Sequence, residues 1–257
     1  MKTFVSPGSW FAFDYPDSWS EFEETDGFLF YDPVNWTGNF RICAYRDKDR
    51  GYGKQCMENE LGRVGTELVR IGSCKAVQSI DHFYEEDVSY DSWFWLIGNE
   101  QTCVECSFTL SSGMPPDMGL RIVNSLLINP IGTFFYNRLV TLRLMEIAEI
   151  DAAYNEVERM AKKICKARFS GIRRDLPILQ RLADGEMRKE MVSIGLTLCA
   201  MIAEELEGYE WRTLIDGAKE KAVLLSSDGT VTDPQMLFDS RGGHMDIYAA
   251  FDKIVRD

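Results

Sequence analysis

Apolar and polar residues alternate with a period of two through most of the first half of the chain, and with a period near 3.6 through much of the second. In "WFAFDYP", Phe11, Phe13 and Tyr15 fall on one side of a strand pattern and Trp10, Ala12 and Asp14 on the other. Pro16 offers no ladder donor and closes the run, and "PDSW" is turn chemistry. A second aromatic run, "GFLFYDP", lies between Gly27 and Asp32-Pro33, so the two runs predict a meander. "NFRICAYR" alternates Phe40, Ile42 and Ala44 against Arg41, Cys43 and Tyr45. The period then lengthens: Cys56, Met57, Glu60, Leu61 and Val64 predict a helix from about Gly53 to Gly65. "TELVRIGSCKAVQSIDHFY", "SYDSWFWLIGN" and "EQTCVECSFTL" read as strands again, rich in β-branched, aromatic and Cys residues. Leu120, Val123, Leu126 and Leu127 are spaced for a helix between Pro115-Pro116-Asp117 and Asn129-Pro130.

Past residues 129–141, which read as a connection with apolar content, helical spacing dominates. Ile150, Tyr154, Val157, Ala161 and Ile164 form one stripe over about Leu142 to Cys165. "RRDLPILQRLADG" predicts a short helix with Asp175 as N-cap, an early Pro177 and Gly185 as its stop. "EMRKEMVSIGLTLCAMIAEELEG" predicts a third helix, with Met191, Gly195, Leu198, Ile202 and Leu206 along one face. "YEWRTLIDG" and "EKAVLLSSDG" read as strands joined at Asp216-Gly217, and "PQMLFD" as a further short strand. Ile247, Tyr248, Phe251, Ile254 and Val255 make a last amphipathic helix. The domain expectation is therefore an antiparallel sheet domain over residues 1–129 and a mainly helical α+β domain with a small antiparallel sheet over 130–257.

Charge is shared unevenly. Residues 1–129 carry 20 acids against 10 bases and residues 130–257 carry 21 against 18, which makes up the formal −13 of the chain. An acidic first half repels phosphate backbones, so nucleic acid is excluded as its partner and a protein with a basic surface is favoured. The basic stretch "RMAKKICKARFSGIRR" reads as a solvated helix face. The opening residues lack the apolar run of a secretory signal, and no run of apolar residues is long enough to span a bilayer. The seven cysteines, an odd number scattered among apolar neighbours, fit reduced thiols, so a cytoplasmic setting is expected.

Candidate chemistry is sparse. Cys103 and Cys106 have CxxC spacing, but on a strand they point to opposite faces, and no second pair or nearby His completes a metal set. His82 and His244 belong to no nucleophile elbow or zinc helix, and no phosphate-binding glycine loop occurs. No catalytic residue, metal ligand or cofactor is expected. Nine aromatic residues crowd positions 10 to 33, and Trp93 and Trp95 share one strand face beside the acidic run Glu85-Glu86-Asp87. Trp10, Trp19, Glu85, Glu86, Asp87, Trp93 and Trp95 are the candidate interaction residues, because exposed Trp dominates many interfaces. The same tryptophans, if buried, pack the sheet.

Over residues 9 to about 128, "FAFDYPDSW" with Tyr15-Pro16 and Trp19, "GFLFYDP", "NFRICAY", "VRIGSCKAV" with Ile71-Gly72 and Ala76, "SWFWLIGNEQTCVECSFTL" and "GLRIVNSL" resemble the PsbP-like fold family. The chain also resembles a paired bacterial architecture of two domains of unknown function. The resemblance implies an α+β fold whose antiparallel sheet is sandwiched by helices, with Phe11, Phe13 and Tyr15 facing a helix. It further implies a non-enzymatic accessory or binding module, since that fold's roles include a photosystem extrinsic subunit and a partner of the Ran GTPase. A protein-interaction module is the leading expectation. An immunity-type protein that binds a toxin, and a hydrolase-like enzyme with a carboxylate-only site, stand as alternatives.

Overall fold

The alternating runs of the first half assemble into an antiparallel sheet of seven strands, seen in a computed structural model that describes residues 1–185, 191–237 and 246–256. The chain divides into two units, Met1–Tyr136 and Asn137–Asp257. The first contains β1 (Lys2–Val5), β2 (Phe11–Tyr15), β3 (Ser20–Glu23), β4 (Phe28–Tyr31), β5 (Asn39–Arg46), α1 (Tyr52–Leu61), β6 (Glu67–Ile71), β7 (Cys74–Glu85), β8 (Val88–Asn99), β9 (Thr102–Ser111), α2 (Asp117–Asn124) and β10 (Leu127–Ile128). The large sheet runs β3-β4-β5-β9-β8-β7-β6, while β1, β2 and β10 form a smaller sheet with β2 in the middle.

The meander expected from the first two aromatic runs does not form. β2 pairs with β1 and β10, and β4 pairs with β3 and β5, so the two runs lie in different sheets and meet across the core. Phe13 sits edge-on to Phe30 at 5.0 Å and to Phe40 at 5.4 Å, and Phe4 edge-on to Phe30 at 5.1 Å. Phe11, Phe13 and Tyr15 thus face the large sheet rather than a helix. Two sheets can bury rings from both sides at once, and these edge-on pairs add to the area term. Ile122 and Val123 of α2 complete the same core, while α1 lies on the opposite face of the large sheet over β8 and β9. Helices therefore cover both faces, and the unit is α+β with its sheet sandwiched as expected.

Two glycines let α1 settle onto the sheet. A Cβ on Gly98 would lie 2.0 Å from the Gly53 carbonyl oxygen, and one on Gly53 would lie 2.6 Å from the backbone of Asn99 and of Thr102. The helix stops at Leu61, and Val64, expected to continue its stripe, lies beyond the end and is fully exposed. Gly62 at the C-cap and Gly65 at φ +84° account for the early stop.

The second unit contains β11 (Arg138–Thr141), α3 (Leu144–Met160), α4 (Leu176–Ala183), α5 (Met191–Glu205), β12 (Tyr209–Asp216), β13 (Lys219–Ser226), β14 (Val231–Thr232) and α6 (Ile247–Arg256). Its small antiparallel sheet runs β11-β12-β13-β14. The stretch read as a plain connection therefore ends in a strand, β11, hydrogen-bonded to β12. Residues 234–237 form a turn, not the expected strand, with the Met236 N–H donating to the Asp233 carbonyl; Phe238 and Asp239 lie outside the described residues, as do 186–190 and His244. From Ile194 to Cys199 every residue of α5 is buried, so this helix runs through the middle of the core rather than along its surface.

One local expectation is overturned by backbone geometry, and a second is met in position but not in hydrogen bonding. α3 passes into a π-helical turn at Ala161–Cys165. The extra residue in that turn rotates the face, so Ile164 is exposed and Cys165 packs inward instead. Asp175 occupies the N-cap position of α4 but makes no capping bond. Its carboxylate turns back and accepts from the backbone N–H groups of Ser170 and Gly171, at 2.5 and 3.0 Å.

Candidate functional site

β7 and β8 are each twelve residues long, but their neighbours are shorter. β6 pairs with β7 only as far as Gln78, and β9 pairs with β8 only as far as Tyr90. The far end of this hairpin forms a finger open along its β7 edge, while its β8 edge stays bonded as far as Ser89, whose carbonyl accepts from the Ser112 N–H at 2.9 Å. From Ser79 to Glu85, β7 has β8 on one side and no strand on the other among the described residues. Every second backbone N–H and C=O there points outward unpaired, the condition for adding a strand. Glu86 and Asp87, at φ +49° and +64°, close the tip as a two-residue turn that matches the twist of the strands.

The finger's side chains are as distinctive as its backbone. All residues from Ile80 to Val88 are exposed, with Tyr84 at 80%. Phe83 stacks on Tyr90 at 5.5 Å, and Trp36 packs edge-on to Tyr90 at 6.0 Å. Asp81, Glu85, Glu86 and Asp87 lie on the same exposed end of the hairpin, and no Lys or Arg occurs in the sequence between Lys75 and Arg121. At the base, Asp91 accepts from Ser112 Oγ at 2.5 Å and from the Gly113 N–H at 3.2 Å, and lies 2.7 Å from His82 Nδ1. The Ser112 bond foremost, then that of His82, holds the Asp91 carboxyl below the usual carboxylate range. It stays ionised and fixes the finger to β9's end.

The expected site residues separate into surface and core. Glu85, Glu86 and Asp87 sit at the tip, in the open. Trp95 is wholly buried: its Nε1–H donates to Gln78 Oε1 at 2.8 Å, and Gln78 donates onward to Glu67 at 3.1 Å. Trp93 is half-buried on the same face and stacks on Trp95 at 6.4 Å. Trp19 is 3% exposed and stacks on Phe108. Trp19 and Trp95 are therefore packing residues and unavailable to a partner, both belonging to the core cluster that β2 and α2 share with the large sheet. Trp10 is half-buried, held under the Arg46 guanidinium at 4.7 Å, and lines a cavity of about 250 Å³ with Phe11, Phe28, Glu23 and Asp26.

Cys106 joins the aromatic core, whereas Cys103 lies on the other face beside Cys56 of α1. Burial raises both thiols, so they remain protonated packing groups. Among the described residues no group of three His, Cys, Asp or Glu side chains is placed to hold a metal, and no helix is long and apolar enough to cross a membrane. Sequence reasoning missed Trp36, Phe83, Tyr84 and Tyr90. For Phe83, Tyr84 and Tyr90 the available signal was the uninterrupted stretch without Lys or Arg, which spans three strands; Trp36 lies outside it.

Residues 1–151 match a family described as Domain of unknown function (DUF3805), and residues 175–244 match Domain of unknown function (DUF3806). A crystal structure from Bacteroides thetaiotaomicron VPI-5482 is 35% identical, with a TM-score of 0.78, and the alignment covers 99% of this chain and 98% of that one. LpqN of Mycobacterium tuberculosis, involved in cell envelope biogenesis, aligns at 13% identity and a TM-score of 0.31 over 47% of this chain and 83% of its own. Cyanobacterial PsbP (CyanoP) from Synechocystis sp. PCC 6803 aligns at 11% and 0.24 over 50% of this chain and 92% of its own. Neither of these two likenesses bears on function. No curated protein matches the chain. The first match spans more than half of the sequence, and the chain belongs to the DUF3805 family, joined here to a DUF3806 domain.

Proposed function

We propose that the first unit is a protein-docking module whose β7–β8 finger takes an extended, basic segment of a partner. The observation that carries this reading is the coincidence, on one hairpin, of an unpaired strand edge, exposed aromatic rings and acids without a neighbouring cation. A partner strand laid along Ser79–Glu85 would take up the outward backbone groups, and its alternate Lys or Arg side chains would meet Asp81, Glu85, Glu86 and Asp87. Tyr84, Phe83 and Trp36 supply ring faces for the stems of those long side chains. The reading is one of binding rather than turnover.

The test places a photo-crosslinking residue at Tyr84 and compares capture from the native cell by the parent chain and by the Glu85→Lys/Glu86→Lys/Asp87→Lys variant. A crosslinked partner lost in the variant, with the circular dichroism spectrum unchanged, supports the module. Undiminished capture by the variant removes the finger as the contact and leaves its acids as guards against edge-to-edge aggregation.

A further inference from the structure

Independently of the finger, the second unit carries a groove of opposite sign. It has a volume of about 640 Å³ and lies along the last turns of α3 and the segment that returns beside them. Asn155, Glu158, Arg159 and Lys162 form one wall, and Lys166 and Arg168 the other, over Phe169. Four cations therefore face one carboxylate, in a chain whose net charge is −13. Arg159 is partly neutralised by Glu156, with Nη2 to Oε1 at 2.6 Å, but no carboxylate of the described residues pairs with Lys162, Lys166 or Arg168. All four cationic side chains are exposed, whereas Phe169 beneath them is buried and packs edge-on to Tyr154 at 5.5 Å.

Backbone geometry brings the two walls together. The π-helical turn at Ala161–Cys165 inserts an extra residue, Lys166 follows it in a left-handed conformation at φ +53°, and the Ala167 N–H returns to the Ala161 carbonyl at 3.3 Å. A straight helix would carry Lys166 away from the α3 face; the π turn and the reversal instead set Lys166 and Arg168 opposite Arg159 and Lys162. π turns of this kind concentrate at functional sites, and a left-handed non-glycine residue is strain that its surroundings must hold in place. The end of α3 attracts cations through its dipole, but that is worth roughly half a charge and acts over one turn. It does not explain Arg168, which lies beyond the end of the helical segment.

We propose that this groove binds a small phosphorylated anion carrying two or more phosphoryl groups. One carboxylate could not balance these cations, whereas a diphosphate presents several charges over the span of two ammonium and two guanidinium groups, and the guanidinium fork matches phosphate oxygens in pairs. The volume suits a ligand of nucleotide size or smaller.

Titration calorimetry of the full chain with inorganic pyrophosphate, inorganic phosphate and a single-stranded oligonucleotide tests the proposal. Pyrophosphate should bind at one site per chain, and roughly tenfold or more tightly than phosphate. The Lys162→Glu/Arg168→Glu variant should lose that binding, and the milder Lys162→Gln/Arg168→Gln pair should weaken it about tenfold while preserving the circular dichroism spectrum and melting transition. Absence of pyrophosphate binding overturns the proposal, as does equal binding by the Gln pair. Tighter binding of the oligonucleotide than of pyrophosphate also overturns it, in favour of a nucleic-acid surface.

Discussion

Two buried polar side chains in the second unit are the residues whose energetics are most exposed to test. Thr197 lies in the middle of α5, wholly buried, and its Oγ1 has no hydrogen-bond partner. A hydroxyl taken out of water without compensation is a net cost, and Val has the same branched shape without it. Thr197→Val should therefore stabilise the protein by about 1 kcal/mol, read as a higher denaturant midpoint at unchanged slope. Glu146, in the first turn of α3, is 6% exposed, and burial raises its carboxyl above the ordinary range, assisted by Glu220 and opposed by Arg143 and Thr213. The folded protein then holds a proton that the unfolded chain releases, so the contribution is intact below the ordinary carboxylate value and is lost as pH rises through the folded one. Glu146→Gln should flatten that slope, and the gain over the parent should grow as pH rises above about 4.3, measured by denaturation at a series of pH values.

At the scale of elements, α1 depends on one point of backbone contact. Because a Cβ on Gly98 would collide with the Gly53 carbonyl, Gly98→Ala should force the helix off the sheet and cost about 1–3 kcal/mol, with faster amide exchange concentrated in Tyr52–Leu61. The end of the strand at Asn99 was legible in the sequence, but the reason for Gly98 was not, since the clash comes from a residue 45 positions away. Long strands such as β5 and β9 were legible because their alternation runs for eight residues or more. β1, β3, β10 and β11 were missed because two to four residues hold too little periodicity, and β10 and β11 are made strands by partners remote in sequence. Sequence neighbours usually pair, which is why β2 and β4 were read as a meander. The π turn after α3 leaves no residue-type signature, so neither the displaced Ile164 nor the basic groove could be anticipated. The acids of the finger were visible from the start; its open edge was not, because that depends on where β6 ends.

At the scale of the whole molecule, the uneven charge becomes a physical difference between the two units. No charged residue falls between 130 and 136, so the first unit keeps its 20 acids against 10 bases, while the second has 21 against 18. Among the described residues each unit also has its own buried cluster: eighteen residues from Phe4 to Val123 in the first, and sixteen from Val157 to Ile254 in the second. A unit with a core of its own should fold alone, so Met1–Tyr136 expressed by itself should melt in a single cooperative transition. Self-repulsion at a net −10 then opposes that fold, and added salt screens it over about 10 Å at 0.1 M. Calorimetry of the separate units at 10 mM and 300 mM sodium chloride should show the melting point of the first rising by several degrees and that of the second shifting less. An equal shift in both would mean that the acids of the first unit are spaced widely enough not to oppose folding. The finger's acids would then be a local recognition device and not one part of a general repulsive surface.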